Sequence, residues 1–367
     1  MAGGSCFPGF LSWNSNREIL LVEGQPQQAV GPHGFVETGN NSNGFSRDGI
    51  LFATVSRALS QPHLLRKKTL KRVEQAIDDT GYIVNEAARS LRSKKTGILL
   101  AMISAAPGQF FSKVLLGVEK IASKLGYGIL IANTQDDAAT IKQLYSYIQK
   151  NRADGILIFG GKQDIMQNEV VGPLPPIIAV NEKADSKGIP FVAVDNFLSA
   201  KNVTRHLLEL GHRQIGHIAG PTEYASSSIE RRDGYLNALN GAGVEPFWIL
   251  NRDFNIESGF NAAEEWMKLD LKPTAVFCSC DEVALGFISK LHHYGFRIPE
   301  DVSVVGFDDI PFAEISTPPL TTICQPHIEI GTHAVNMLLK QIRQPEIRQD
   351  SIHLPGSLII RGSTKPL

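Results

Sequence analysis

From Gly97 onward the chain alternates short, continuous apolar runs with longer amphipathic stretches. A first series of runs lies at Ile98–Ile103, Gly128–Ala132, Gly155–Phe159, Ile177–Val180 and Phe191–Val194. A second lies at Ile215–Ile218, Ala275–Cys278 and Val302–Gly306. Helical periodicity fills the intervals near 112–125, 138–151, 198–210, 229–242, 257–268, 282–295 and 328–342. Apolar runs without polar alternation are strands covered on both faces, and their alternation with helices predicts parallel sheets. Two series predict an α/β fold of two doubly wound parallel-sheet lobes. Ligands in that architecture sit in the cleft beyond the carboxyl ends of the strands.

Upstream the pattern is helical. In Ala53–Leu59 the residues Val55, Ala58 and Leu59 share one apolar face and leave Thr54, Ser56 and Arg57 outside. Lys68–Asp79 is a second amphipathic helix with Val73, Ala76 and Ile77 inward, and Asn85 is placed to cap a short helix reaching Arg92. On that short helix Ala87, Ala88 and Leu91 form one stripe, and Arg89 and Arg92 another. Residues 1–50 hold nine Gly and three Pro with no sustained period, and read as disordered.

Charge changes the picture most in this upstream region. Residues 64–95 carry nine Lys or Arg against four acids, in a chain whose formal net charge is −1. A solvated helical face gives such a run, and so does a phosphate-binding surface. Short hydroxyls beside Arg57 suit a helix in a major groove. A lone Leu91 among small residues and arginines suits a minor-groove wedge. At 367 residues the chain exceeds one core, so two or three domains are expected. No run of 18 apolar residues and no basic segment before an apolar core is present, which predicts a cytoplasmic protein without a membrane span. Cys278 and Cys280 have no partner at metal spacing and read as core or near-pocket thiols. No nucleophile–base pair stands at recognisable spacing, so neither catalysis nor a metal or other cofactor is expected.

TVSRAL, then GY with NEAARSLRS, then KKTGILL, resemble the lactose/galactose repressor family of bacterial regulators. The resemblance covers residues from about Phe52 to the C-terminus. It implies a helix-turn-helix, a hinge helix and an effector domain shaped like a periplasmic sugar-binding protein. The expected division is a non-family extension over 1–50, a partial helix-turn-helix head over 51–82 and a hinge helix with linker over 83–95. The effector domain would span 96–367, with one lobe at about 96–196 plus 325–345. The other would take about 197–324 plus the C-terminal strand. The implied DNA-binding residues are Phe52, Ala53, Thr54, Ser56, Arg57, Asn85, Arg89 and Leu91. The implied partner is palindromic operator DNA bound by a homodimer. The first helix departs from the family: NSNGFSRDGILF replaces its usual text, and Leu51 stands where a Ser would cap the recognition helix. The expectation is therefore a frameshift or misplaced start upstream, with DNA binding impaired. On that reading the chain is an effector-binding relic; a solute-binding protein without DNA function is the other alternative.

The loops after the strands carry the candidate ligand chemistry. The family's effector loops map Gln109, Phe110 and Phe111 after the first strand, and its R-x-x-G-Y places an effector Arg at Arg231, leaving Arg232 as a solvated neighbour. Phe254 stands in a D-F-x-x-x-x-G pattern, and Asp308 in VGFDD faces the cleft to accept hydroxyls. Gln325 lies at a return crossover. Asp195 and Asp281 have two readings each, ligand contact or helix cap. Within the family, DF-x-x-E-x-G, PTAVFC, PPLTTI-x-QP and LIIRGST resemble a nucleoside-reading member. That implies a nucleoside effector, otherwise a sugar. Replacing Leu91 with Ala is expected to weaken DNA binding in a gel-shift while leaving ligand affinity by calorimetry unchanged; equal loss of both would contradict this division of labour.

Overall fold

The structure is a computed structural model describing residues 54, 55, 57, 58, 61–80, 95–103, 108–134, 137–150, 152–160, 175–183 and 188–367. The expectations for residues 1–50, for the hinge helix, and for Phe52, Ala53, Ser56, Leu59, Asn85, Arg89 and Leu91 lie outside the described residues. Contacts divide the chain into two compact units, Met1–Arg89 and Ser90–Leu367.

In the first unit, helix α1 (Lys67–Thr80) follows a short 3-10 turn at Pro62–Leu64. Val55, Ala58 and Val73 are buried together, with Leu65, Leu70 and Ile77 packed around them. The inward face expected at Val55, Val73 and Ile77 is thus formed, because apolar positions at helical spacing are the only ones the two segments can bury.

The second unit begins with β1 (Ile98–Ile103), α2 (Gln109–Lys124), β2 (Gly128–Asn133), α3 (Ala138–Gln149), β3 (Gly155–Phe159), β4 (Ile177–Val180) and β5 (Phe191–Val194). It continues with α4 (Asn196–Glu209), β6 (Ile215–Ala219), α5 (Ser226–Gly241), β7 (Trp248–Asn251), α6 (Ile256–Met267), β8 (Ala275–Cys278) and α7 (Asp281–His293). The last elements are β9 (Ser303–Val305), α8 (Pro311–Ile315), β10 (Thr322–Cys324), α9 (His327–Arg343), β11 (Ile352–Leu354) and β12 (Ser357–Ile359). One sheet has the order β11-β5-β4-β3-β1-β2 and the other β7-β6-β8-β9. All their pairings are parallel. In each sheet the strand order reverses beside the first strand, between β1 and β3 and between β6 and β8. A crevice opens at the carboxyl ends there.

Cover on both faces explains the continuous apolar runs except at β2, an edge strand that departs from the expectation by leaving Leu130 and Ile131 exposed. Leu99 and Ala101 of β1 face Val114, Val118, Ile330 and Leu338 on one side. Leu100 and Met102 face Ile141 and Tyr145 on the other. The second sheet repeats the arrangement, Val276 and Cys278 packing with Trp266 and Phe287, and Ala275 and Phe277 with Val203, Leu207 and Tyr235. Strands β7, β10 and β11 are outside the sequence expectation. β7 is a four-residue edge strand of alternating exposure, and β10 and β11 have three residues each, too short for a readable period.

The chain passes between the lobes three times: at β5–α4, at β10–α9 and at β11–β12. β11 joins the first sheet beside β5, whereas β12 pairs antiparallel with β10. The C-terminal tail lies on the second lobe, where Val304 N–H donates to Ser363 O at 2.8 Å and Leu367 N–H to Leu210 O at 3.0 Å. Among the described residues no helix is long and apolar enough to cross a membrane.

Helices on one lobe face touch backbone to backbone. A Cβ on Gly286 of α7 would lie 2.2 Å from the carbonyl oxygen of Ile256 in α6, whereas one on Gly241 meets nothing within 4 Å. Gly286→Ala is therefore expected to lower stability by roughly 1–3 kcal/mol through overpacking. Gly241→Ala should be neutral or stabilising by up to about 1 kcal/mol, because the exchange restricts the unfolded chain and improves helix propensity. Urea unfolding of the two variants checks the contrast, and equal midpoints would contradict it.

Candidate functional site

The crevice is built from strand ends and helix first turns. Arg231, in the second turn of α5, is 3 % exposed. Its Nε donates to Asn196 Oδ1 at 2.9 Å, and its Nη1 donates to the carbonyl oxygen of Ser279, the residue after β8. The guanidinium carbon sits 3.7 Å from the ring centroid of Phe307 and 6.0 Å from that of Phe254. A planar cation on an aromatic face is desolvated with part of its charge compensated.

Asp308 closes the other side, 8 % exposed and at φ 119°, a backbone region that is strained for a residue with a side chain. Its N–H donates to Ile323 O at 2.8 Å, which holds the turn. One carboxylate oxygen accepts from Gln325 Nε2 at 2.6 Å. Burial pushes the carboxyl up to about 7, against the opposing pull of Arg231 and of the Gln325 hydrogen bond. Glu282 adds to the rise and Lys113 opposes it.

Polar contacts join the lobes on both rims. From the first lobe, Lys113 Nζ donates to Asp309 O at 2.6 Å, and Gln109 N–H reaches Glu282 Oε1 at 3.4 Å. On the other rim Glu182, buried after β4, accepts from Ser226 Oγ at 2.7 Å, from Ser227 N–H at 3.0 Å and from Ser227 Oγ. Burial raises its carboxyl, and the serine hydrogen bonds pull it back. Lys183 pairs with Glu230.

Among the described residues, Ser228 Oγ, Ser279 Oγ, Asn181 Oδ1, Gln325 Oε1 and His327 Nε2 are buried without a hydrogen-bond partner. Each belongs to this assembly. Ser228 Oγ lies 2.3 Å from where a Cβ on Gly220 would stand, beneath the Phe254 ring. Ser279 and Gln325 bond Arg231 and Asp308 through their other atoms. Asn181 precedes Glu182, and His327 packs against Phe110 with centroids 5.2 Å apart. Burial pushes the His327 imidazole down to about 4, so the ring is neutral near neutral pH. Orphan buried polar atoms each cost about 1–3 kcal/mol, and a ligand that meets them recovers that cost.

Six of the nine sequence candidates meet around this crevice: Gln109, Phe110, Arg231, Phe254, Asp308 and Gln325. Three do not. Phe111 turns into the first core, 4.9 Å from Phe159 in an edge-to-face pair. Asp195 caps α4 by accepting Leu198 N–H at 2.8 Å. Asp281 does not cap a helix with its side chain, and its carboxylate is engaged within the protein. The N-cap position is Cys280, and the fully buried carboxylate accepts Ile310 N–H at 2.9 Å and Thr322 Oγ–H at 2.5 Å. It pins the Asp308 turn to β10. Arg232, expected in solvent, is half-buried, and its Nε has no partner among the described residues.

Sequence reasoning passed over Asn181, Glu182, Asn196, Ser226, Ser227, Ser228, Ser279 and His327. Most occupy the residue after a strand or the first turn of a helix, and position in the βα unit was the available signal. Among the described residues no cluster of three His, Cys, Asp or Glu is placed to hold a metal.

In the first unit, Arg57 is exposed and Thr54 half-exposed on the side away from buried Val55 and Ala58. Arg66, Lys67, Lys68, Lys71 and Arg72 are exposed around the start of α1. A cationic surface beside a short helical turn has the composition that engages a phosphate backbone.

The family described as "Periplasmic binding protein-like domain" matches residues 204–364. The HTH-type transcriptional repressor CytR of Escherichia coli (strain K12) is 36% identical over 318 residues, covering 86% of this chain and 93% of that one. The ribose operon repressor of the same organism is 30% identical over 319 residues, covering 86% and 96%. The crystal structure of the Lac repressor dimer bound to operator and the anti-inducer ONPF superimposes with a TM-score of 0.76 at 26% identity, covering 86% and 96%. An identity of 36% sustained over nearly the whole of a relative, together with the two-lobed fold, places this chain in the LacI family of transcriptional regulators.

Proposed function

We propose that this chain is a ligand-responsive transcriptional repressor of the cytoplasm whose effector is a nucleoside, and that it acts as a homodimer on a palindromic operator. The observation that carries the effector reading is the buried Arg231–Asp308 pair with unpaired polar atoms around it and half-exposed Phe254 beside it. A furanose offers adjacent hydroxyls to a carboxylate and a guanidinium, and a base offers a flat face to Phe254 or Phe110. The similarity to CytR favours a nucleoside; the similarity to the ribose operon repressor keeps a free sugar as the second reading.

On the DNA side, Thr54 and Arg57 would enter the major groove, and the lysines around the start of α1 would take phosphates. The relatives are repressors, and the Lac repressor structure is a dimer on its operator. Effector binding would shift the balance between open and closed lobes and thereby operator affinity, and that coupling must be reciprocal.

Isothermal titration with cytidine, adenosine, ribose and galactose decides the ligand. Heat with a nucleoside, lost by at least about 100-fold in Arg231→Ala, is the expected result; heat with neither nucleoside discards that choice. A gel-shift of the same protein with and without the bound ligand tests the regulation, and an operator affinity unmoved by ligand would refute it.

The pH dependence follows from Asp308. A ligand whose hydroxyls donate to its carboxylate binds the deprotonated form, so below the raised value a proton must leave on binding. Affinity should climb between pH of about 6 and about 8, and Asp308→Asn should flatten the profile. A wild-type affinity that falls across this window would overturn the assignment of Asp308 as a hydroxyl acceptor.

A further inference from the structure

Helix α5 starts without a side-chain cap of its own. Its N-cap residue is Ala225, which offers no acceptor to the first-turn N–H groups. The missing acceptor comes from the other lobe. The Glu182 carboxylate takes Ser227 N–H and the Ser226 and Ser227 hydroxyls, the first two at 3.0 and 2.7 Å. A carboxylate at this end of a helix also meets the positive end of the helix dipole. The aim of Glu182 is set by Asn181, at φ 65°, in the left-handed region that asparagine tolerates.

The next residue strengthens the join, since Lys183 N–H donates to Ser226 Oγ at 2.8 Å and its ammonium pairs with Glu230. Every one of these contacts runs between the segment after β4 and the first turns of α5. Separating the lobes breaks all of them together, and leaves α5 uncapped and Glu182 unpaired.

We propose that Glu182 is an interlobe latch, capping α5 from the opposite lobe and holding the crevice shut. Arg231 stands on the next turn of the same helix, and its charge is felt at Glu182. A ligand seated on Arg231 therefore acts on the helix end that the latch holds. That link to the ligand rests on the effector reading above; the latch itself does not. Opening would be the slow, costly step through which any ligand reaches the crevice, and closing would restore the cap.

The test uses the full chain without ligand, as wild type, Glu182→Ala and Ser226→Ala, followed by hydrogen exchange and small-angle scattering. The amides of Lys183 and Ser227 should exchange at least about tenfold faster in Glu182→Ala. Its scattering should shift to a more open particle, and Ser226→Ala should move both readouts the same way by less. The strand amides of Ile156–Phe159 report that the fold is intact. If Glu182→Ala does not fold, Ser226→Ala carries the test alone. Scattering curves that superimpose on wild type in every folded variant would overturn the latch, because a purely local cap changes the amides and not the particle. Faster cytidine association in the opened variants is also expected. Opened scattering with no binding of cytidine or adenosine in any form leaves the latch standing and removes the nucleoside.

Discussion

A guanidinium held in the dark between two lobes is expensive, and the arrangement around it exists to offset that cost. Removing a cation from water carries a penalty of several kcal/mol unless hydrogen bonds and charge compensate. Arg231 finds an amide oxygen on α4, a carbonyl after β8, an aromatic face after β9 and the neighbouring charge of Asp308. The four come from three segments of the second lobe and its crossover. Their convergence requires the strand order of the second sheet and the short βα loops that keep each donor at a strand end. Asp308 supplies only part of the balancing charge, since burial keeps its carboxyl near half-ionised at neutral pH. The pocket is thus left in a state that a bound hydroxyl donor readily changes.

The lobes have separate apolar cores, with Val194 at the end of β5 packing into the second. Each sheet is covered on both sides by its own helices, and the seam between the lobes carries Glu182 with Ser226 and Ser227, Lys183 with Glu230, and Lys113 with Asp309. A seam of polar contacts separates without exposing either core, since water replaces what is lost. The crossovers beside β5 and β10 run through this seam, and Asn196 and Gln325 lie on them. Side chains that hold Arg231 and Asp308 are therefore attached to the segments about which the lobes would turn.

This division explains which parts of the molecule the sequence disclosed. Strands such as Ile98–Ile103 and Phe191–Val194 are legible to the residue because burial on both faces forces an unbroken apolar run. Helix starts are not: α2 was expected from 112 and begins at Gln109, and α5 was expected from 229 and begins at Ser226. The first turn of α5 is Ser226–Ser227–Ser228, polar because it meets Glu182, so apolar periodicity sets in only from Ile229; α2 opens on the adjacent aromatics Phe110 and Phe111, which carry no helical period. Two candidates, Arg231 in the first turns of a helix and Asp308 after a strand, came together. Asp195 and Asp281 shared the same signature, yet their carboxylates are taken by a helix N-terminus and by the Ile310–Thr322 turn. Sequence position does not distinguish an acceptor aimed at a ligand from one aimed at a neighbouring N–H. Glu182 was illegible for a different reason: its partners lie more than forty residues away and in the other lobe.

One scaffold of this kind can serve different small molecules. Arg231, Phe307 and the Asp281-pinned turn fix where a hydroxylated ring would sit, and their partners are already satisfied within the protein. Discrimination is left to the atoms that are not: Ser228 Oγ, Ser279 Oγ, Asn181 Oδ1, Gln325 Oε1 and His327 Nε2. A ligand that pairs with them gains the desolvation cost they already bear, and a near-isostere lacking one group leaves that cost in place, at about 1–3 kcal/mol for each atom. Neutral His327 already hydrogen-bonds the Asp308 backbone, so its free Nε2 is an acceptor, and Asn181 and Gln325 likewise demand donors at their free oxygens. In the proposed site the unsatisfied atoms, more than the shape of the fold, would set the pattern of donors and acceptors that a ligand must carry.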